Sequence, residues 1–137
     1  MKEEMAERDK TVLVVDDEDL VCRLVRDILG REGFRVLTAN APKEAIQILD
    51  SHHAPIDLLV TDIIMPDMNG VELAERLTEA RPDLRVLFIS GVLEGKLLQQ
   101  ETHQEIQLLE KPFLPAELVS KVNEVLERRA GRAGHGP

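Results

Sequence analysis

Five short apolar runs, spaced by longer segments, constrain the fold of this chain more than any other feature. The runs are TVLVV (11–15), FRVLT (34–38), IDLLV (56–60), RVLFIS (85–90) and IQLLE (106–110). Their length and their leucine-rich or β-branched content predict β-strands. The sequence is therefore expected to build one five-stranded sheet.

The segments between these runs carry apolar residues at helical spacing. The first of them has Leu20, Val21, Leu24, Val25, Ile28 and Leu29. That spacing predicts amphipathic helices. Apolar strands that alternate with helices predict a parallel sheet covered on both faces and connected by right-handed crossovers. The expected fold class is α/β, a doubly wound (βα)5 arrangement.

The length of the chain, 137 residues, fits one domain. The strand and helix pattern runs from about residue 10 to 128, and these are the predicted domain bounds. The charged segment 1–9 is predicted to be disordered or frayed. The segment 129–137, which is rich in Gly and Arg, is predicted to be a flexible tail.

The charge of the chain narrows its expected partners. A formal net charge of −9 repels a phosphate backbone, so no direct contact with nucleic acid is expected.

No apolar run approaches the length needed to cross a bilayer, and MKEEMAERDK lacks the apolar core of a signal peptide. We therefore expect no membrane insertion and a cytoplasmic location. The single cysteine, Cys22, agrees with a reducing compartment.

Acidic, hydroxyl and basic residues stand at the carboxyl ends of four predicted strands. Asp16 and Asp17 follow the first strand, Asp62 follows the third, Ser90 ends the fourth and Lys111 follows the fifth. Taken singly, Asp17 is explained as a helix N-cap, and the others as rim charges or a turn residue. Because the carboxyl ends of parallel strands share one edge, all five are expected to converge there. Their convergence favours a functional site over five separate structural roles.

The repulsion between clustered carboxylates predicts a bound cation. Two like charges about 4 Å apart repel by roughly 4 kcal/mol at an effective dielectric near 20, which keeps one carboxyl protonated unless a metal intervenes. An oxygen-only site with room for water suits Mg²⁺, and the sequence offers no paired His or Cys cluster for Zn²⁺. A carboxylate beside Mg²⁺ can attack a phosphoryl group and become an acyl phosphate. The edge therefore predicts phosphoryl transfer, with an ammonium and a hydroxyl stabilising the phosphoryl oxygens.

Four segments, in this order, carry a family resemblance: VLVVDDE, TDIIMPDMNG, FISG and EKPF. They resemble the signature blocks of the response-regulator receiver domain of two-component signalling, over about residues 10–128. The resemblance implies the flavodoxin-like strand order 2-1-3-4-5. It also implies a phosphoacceptor domain rather than an enzyme, with only self-catalysed phosphotransfer and dephosphorylation.

The resemblance implies a role for each residue at the edge. Asp62 is the expected phosphoacceptor. The expected participants in phosphoryl transfer are Asp62, Ser90 and Lys111. The expected Mg²⁺ ligands are Asp16, Asp17, Asp62 and Ile64, the last through its backbone carbonyl. The Lys111–Pro112 peptide bond is expected to be cis, as it commonly is in such proteins.

The resemblance also implies partners. The expected phosphodonor is a phosphohistidine of a histidine kinase or of a histidine phosphotransfer protein. Phosphorylation is expected to switch the face formed by the fourth helix, fifth strand and fifth helix, which would then bind a downstream protein that the sequence does not name. The chain is expected to be a monomer or a weak homodimer. Because FISG also resembles receivers at the end of hybrid histidine kinases, the alternative is a receiver domain excised from such a kinase or from a larger regulator.

Leu108 departs from the family pattern, since many receivers carry an aromatic residue three positions before the lysine. Two other functions are weighed. One is a haloacid-dehalogenase-type phosphatase, which needs a second acid where this chain has Ile64, so this function is disfavoured. The other is an interaction module that accepts no phosphoryl group, and the intact set of edge residues argues against it. The histidines are interpreted as solvated residues away from the acidic edge: His52, His53, His103 and His135.

Overall fold

In the computed structural model of the protein, which describes residues 10–102 and 106–128, strands and helices alternate along the chain. The strands are β1 (Thr11–Val15), β2 (Arg35–Ala39), β3 (Leu58–Asp62), β4 (Arg85–Ser90) and β5 (Leu108–Glu110). The helices are α1 (Asp19–Arg31), α2 (Pro42–Ser51), α3 (Gly70–Ala80), α4 (Val92–Glu101) and α5 (Pro115–Glu127). None of these helices has the length and apolarity that a membrane span requires. The segments 1–9 and 129–137, for which disorder is predicted, lie outside the described residues, as do His103 and His135.

All five strands are parallel and lie in the order β2-β1-β3-β4-β5. This arrangement confirms the α/β fold class and the strand order 2-1-3-4-5. Val15 at the end of β1 is level with Thr61 of β3, and Asp62 is level with Ile89 of β4. The register therefore brings the residues that follow these strands to a common edge.

Side chains of the inner strands alternate between two hydrophobic cores. Val12 and Val14 pack on the face covered by α1 and α5, whereas Leu13 and Val15 pack on the face covered by α2 and α3. The alternation follows from the two-residue period of a strand. Complete burial of each such side chain stabilises the fold by roughly 1.5–3 kcal/mol. The two cores hold the strand ends that carry the acidic residues.

The predicted bounds of three strands differ from the observed ones. β2 begins and ends one residue later than the run 34–38, β3 begins two residues later than the run 56–60, and β5 is limited to Leu108–Glu110. Ile56 is buried although it precedes β3, so its apolar character reflects core packing rather than strand pairing. Apolar runs locate a strand, but hydrogen bonding decides where it ends.

Helix α1 buries fewer residues than its apolar spacing predicts. Leu20 and Leu24 belong to the apolar pattern but are 78% and 49% exposed, whereas Cys22 and Val25 on the same helix are fully buried. Spacing identifies residues that share a helix face, but it does not say how far the neighbouring sheet covers that face. Two of the six residues in the pattern are therefore surface leucines.

His52 is not the solvated loop residue that the sequence predicts. It follows α2 directly, and its Nε2 atom is buried with no hydrogen-bond partner among the described residues. Its backbone carbonyl accepts a hydrogen bond from the Arg81 guanidinium, which also donates to the carbonyls of Leu49 and Ala54. The arginine, which directly follows α3, thus fixes the turn after α2 through hydrogen bonds to its carbonyls. His53 is exposed, as expected.

Candidate functional site

Three carboxylates meet at the C-terminal edge of the sheet. The ligand atoms of Asp16, Asp17 and Asp62 lie within 4.8 Å of one another. Asp16 is 2% exposed, the Asp62 side chain is 14% exposed, and Asp17 lies at the surface. Because β1 and β3 are neighbours in register, residues far apart in the chain form one cluster. An oxygen cluster that is open on one side fits Mg²⁺ with several water ligands.

Lys111 supplies a positive charge to this cluster. Its Nζ atom lies 3.3 Å from Oδ2 of Asp16 and 3.3 Å from Oδ2 of Asp62. The same atom lies 3.6 Å from Oε1 of Glu18, an exposed residue. The Lys111–Pro112 peptide bond is cis, as expected.

The pKa values of Asp16 and Lys111 are both raised, but for different reasons. Burial is the main cause that raises the pKa of Asp16 above its ordinary value, although a hydrogen bond from the Glu18 amide and the nearby Lys111 act against it. Burial lowers the pKa of Lys111, but the carboxylates of Asp16 and Asp62 together outweigh burial and raise it. Lys111 is therefore a cation at neutral pH.

The backbone beneath Asp16 is held by polar contacts. The carbonyl of Asp16 accepts hydrogen bonds from Cys22 Sγ at 3.4 Å and from Asn40 Nδ2 at 3.2 Å. Burial, followed by the negative charge of Asp16, raises the pKa of the Cys22 thiol to about 11. Cys22 is thus a protonated, buried thiol that supports the site rather than a nucleophile.

Asp62 is fixed by the start of the following loop and helix. Its Oδ1 atom accepts a hydrogen bond from the Ile63 amide at 2.8 Å, and the Gly70 amide donates to the Ile63 carbonyl at 2.7 Å. A Cβ atom at position 70 would overlap the carbonyl oxygen of Asp62. Helix α3 begins at Gly70 with a capping box in which Asn69 and Glu72 each accept the other's amide hydrogen. This closely packed start holds the Asp62 backbone against α3.

Ser90 ends β4, and Ile64 lies two positions after the end of β3. Ser90 is 2% exposed, and its hydroxyl donates to the Gly91 carbonyl at 3.0 Å. The Lys111 amide donates to the Ser90 carbonyl at 2.8 Å, which ties β4 to the lysine. The Ile64 side chain, two positions after Asp62, is 60% exposed. The structure thus brings the carboxylates of Asp16, Asp17 and Asp62 together beside Lys111. It leaves the Ser90 hydroxyl bonded to its own loop, and the Ile64 carbonyl stays an expected ligand.

Two residues contribute to the site although the sequence assigned them no role. Glu18 lies beside Lys111, and Gly70 lies against the backbone of Asp62. Each ends one of the segments that carry the family resemblance, VLVVDDE and TDIIMPDMNG. Their positions in those segments are the sequence feature that could have indicated a role in the site. Neither contact follows from residue type alone.

A family model described as the response regulator receiver domain matches residues 12–123. The chain belongs to this family. The match spans β1 through most of α5, and so it includes every strand end that contributes to the acidic cluster. The chain is therefore a receiver domain of a two-component system.

Two relatives are similar to this chain over very different shares of their own lengths. The response regulator receiver protein CpdR of Brucella abortus (strain 2308) is 33% identical over 118 residues, which are 85% of this chain and 97% of CpdR. The sensor kinase CckA of the same organism is 32% identical over 120 residues, which are 87% of this chain but 13% of CckA. The chain thus matches nearly all of one relative and a small part of another.

A solved structure has a similar fold. The crystal structure of a response regulator receiver protein from Sinorhizobium medicae WSM419 is 32% identical and has a TM-score of 0.74. The similarity covers 88% of this chain and 96% of that protein. The likeness in fold therefore extends over nearly the whole receiver domain.

Proposed function

We propose that this receiver domain accepts a phosphoryl group on Asp62 from a phosphohistidine of a histidine kinase or a histidine phosphotransfer protein. The observation that carries the proposal is the contact of one ammonium, Lys111 Nζ, with both Asp16 and Asp62 at 3.3 Å beside a third carboxylate. A carboxylate held next to fixed positive charge is suited to attack a phosphoryl group.

In the proposed reaction, one carboxylate oxygen of Asp62 forms a bond to phosphorus as the nitrogen–phosphorus bond of the phosphohistidine breaks. The bonding electrons stay with the imidazole nitrogen of the donor, whose other ring nitrogen carries a proton, so the donor leaves as a neutral imidazole. The Lys111 ammonium lies beside Asp62 and stabilises the negative charge of the transferred group. Mg²⁺ bound by Asp16, Asp17, Asp62 and the Ile64 carbonyl would neutralise charge on the phosphoryl oxygens.

Ser90 is proposed as the group that responds to the new phosphoryl group. Its hydroxyl is bonded to the Gly91 carbonyl, and rotation about its side-chain bond frees the same hydrogen for a phosphoryl oxygen. Because α4 begins at Val92, a shift of this loop reaches the face formed by α4, β5 and α5. Helix α4 exposes Leu93 and Leu97, which are 66% and 48% exposed. We propose the face formed by α4, β5 and α5 as the surface that binds a downstream protein, with the domain itself a monomer or a weak homodimer.

Two other functions have less support. A haloacid-dehalogenase-type phosphatase lacks its second acid, because exposed Ile64 occupies that position. An interaction module without phosphorylation leaves the buried, positively paired Asp16 unexplained. Turnover beyond self-catalysed phosphotransfer and dephosphorylation is accordingly not expected. The match to a small part of CckA keeps open the proposal that the chain is a receiver from a larger protein.

The test is the mass of the intact protein after incubation with a small-molecule phosphodonor, with and without Mg²⁺. We expect a gain of one phosphoryl group that requires Mg²⁺ and is lost in Asp62→Asn. Asp50→Asn, which removes an exposed carboxylate on α2, is the matched control and should retain the gain. A gain that persists at another aspartate in Asp62→Asn would sink the assignment.

A further inference from the structure

Gly95 is a position in helix α4 at which an added side chain would meet Ser90. This glycine is the buried residue of α4. A Cβ atom added there would lie 3.0 Å from Ser90 Oγ and 3.3 Å from Leu108 Cδ1. Optimal separations between such atoms are about 3.5–4.0 Å. A side chain at position 95 is therefore crowded against Ser90 and Leu108, each of which would have to give by a few tenths of an ångström.

The Gly91 carbonyl links Ser90 to the same helix. It accepts a hydrogen bond from the Ser90 hydroxyl at 3.0 Å and another from the Gly95 amide at 3.1 Å. If the hydroxyl rotates away, the carbonyl keeps its helical donor. Departure of the Ser90 hydroxyl consequently does not leave the Gly91 carbonyl without a partner.

A glycine at this helix position needs a physical reason, since glycine weakens a helix interior relative to alanine. Close packing of α4 on the sheet is one reason, and it predicts an effect on stability alone. The contact with the Ser90 hydroxyl is a second reason, and it predicts an effect on the phosphoryl site. The two reasons are separable because only the second requires the hydroxyl.

We propose that Gly95 is a positioning residue for the phosphorylation site. Because it has no side chain, the Ser90 hydroxyl rests on the Gly91 carbonyl and stays out of the acidic cluster until a phosphoryl group is present. A methyl group at position 95 crowds this resting rotamer, so the hydroxyl moves to a rotamer that serves the phosphoryl group. The inference rests on the proposed function of Asp62.

The first measurement concerns the protein without any phosphoryl group. The side-chain rotamer of Ser90 is obtained from NMR couplings in the wild type and in Gly95→Ala. We expect one dominant rotamer in the wild type and a changed one in the variant. The control is Gly30→Ala in α1, where an added Cβ has no atom within 4 Å, and it should leave Ser90 unchanged. An unchanged Ser90 rotamer in folded Gly95→Ala overturns the inference whatever the fate of Asp62.

The second measurement is the affinity for beryllofluoride, a phosphoryl mimic, in the presence of Mg²⁺. Gly95→Ala is expected to bind it about 3-fold to 10-fold more tightly, the effect of crowding one competing rotamer. In a Ser90→Ala background the same substitution should have no effect. Equal effects in both backgrounds, or unchanged or weaker binding in Gly95→Ala, mean that the glycine serves packing alone and overturn the inference.

Two further results keep the test decisive. If Gly95→Ala does not fold, Gly95→Ala with Leu108→Ala removes one of the two crowded contacts and retains the one with Ser90. It should then show the same dependence on the Ser90 hydroxyl. If the wild type binds no beryllofluoride and gains no phosphoryl group, the proposed function fails, and the Ser90 rotamer still decides the resting role of Gly95.

Discussion

Lys111 Nζ lies 3.3 Å from the carboxylate of Asp62, although 49 positions separate the two residues in the chain. The contact depends on the sheet, because β3 and β5 are both neighbours of β4. It places a cation beside the carboxylate that is proposed to attack phosphorus. The strand order therefore determines the electrostatic environment of the proposed phosphoacceptor.

Replacing Lys111 by Met should slow phosphorylation of Asp62 by about 100-fold, the scale of losing one preorganised charge-stabilising donor. The rate is measured as mass gain against time with a small-molecule phosphodonor and saturating Mg²⁺. Lys121→Met is the matched control, since Lys121 pairs with Glu124 on α5, away from the cluster. A rate equal to that of the wild type would show that the ammonium has only a structural role.

Removing the charge of Asp16 should stabilise the protein in the absence of Mg²⁺. The raised pKa of Asp16 means that the folded protein holds this proton to a higher pH than the unfolded chain does, where the ordinary value is 3.8. The free energy of unfolding therefore declines as pH rises from that value through the raised pKa. Asp16→Asn lacks the decline and should be more stable than the wild type above this range.

Urea denaturation across a pH series, with a chelator present, checks this effect of Asp16. Asp50→Asn is again the control, because its carboxylate is exposed, and its stability should follow that of the wild type. A stability gain in Asp16→Asn that persists at a pH well below 3.8, where the carboxyl is protonated in both states, would contradict the electrostatic explanation.

Mg²⁺ affinity should depend on Asp17. This carboxylate is exposed, so it can bind the ion at little desolvation cost, and Asp17→Asn should weaken binding by about 10-fold or more. Calorimetric titration is the suitable measurement, because the chain has no Trp or Tyr to report binding by fluorescence. Asp67→Asn is the local control: Asp67 is exposed in the neighbouring loop with φ of 73°, a conformation that Asn also adopts. Equal affinities for wild type and Asp17→Asn would remove Asp17 from the metal site.

The phosphorylated form should hydrolyse slowly because the exposed residues two positions after Asp62 and two positions after Ser90 are apolar. Ile64 and Val92 are 60% and 45% exposed, and neither can orient a water molecule. Ile64→Asn supplies an amide for this purpose and should shorten the phosphoaspartate lifetime by roughly 3-fold or more. Loss of the mass gain after removal of the phosphodonor gives the lifetime. Ile64→Val, which stays apolar, should match the wild type, and an equal shortening in both variants would refute the role of polarity.

The expected positions of Asp16, Asp62 and Lys111 follow directly from the sequence, because each residue adjoins the end of an apolar run. Parallel pairing then has one consequence for all of them, which is a shared edge. The contact of Lys111 with both carboxylates agrees with that expectation. The strand order needed the family resemblance, since apolar runs alone do not say which strands are neighbours.

Other features depend on contacts that local patterns do not encode. Leu20 has the spacing of a core residue but is 78% exposed, because the sheet covers only part of α1. His52 follows a helix and has the sequence position of a solvated loop residue, but Arg81, which follows α3, donates hydrogen bonds to the carbonyls of Leu49 and His52. The resting hydrogen bond of Ser90 to Gly91 likewise depends on the path of the chain after β4. Each of these features arises from tertiary packing.

The close approach of Gly70 to the Asp62 carbonyl bears on how variants of this protein are interpreted. Gly70→Ala removes no charged, nucleophilic or hydrogen-bonding side chain, yet it displaces the backbone that carries the proposed phosphoacceptor. In a mutational scan scored by phosphorylation, position 70 is expected to resemble position 62, and a scan scored by reactive groups alone would overlook it. Inherited or engineered changes at this glycine therefore belong among the inactivating ones, even though the residue performs no chemistry.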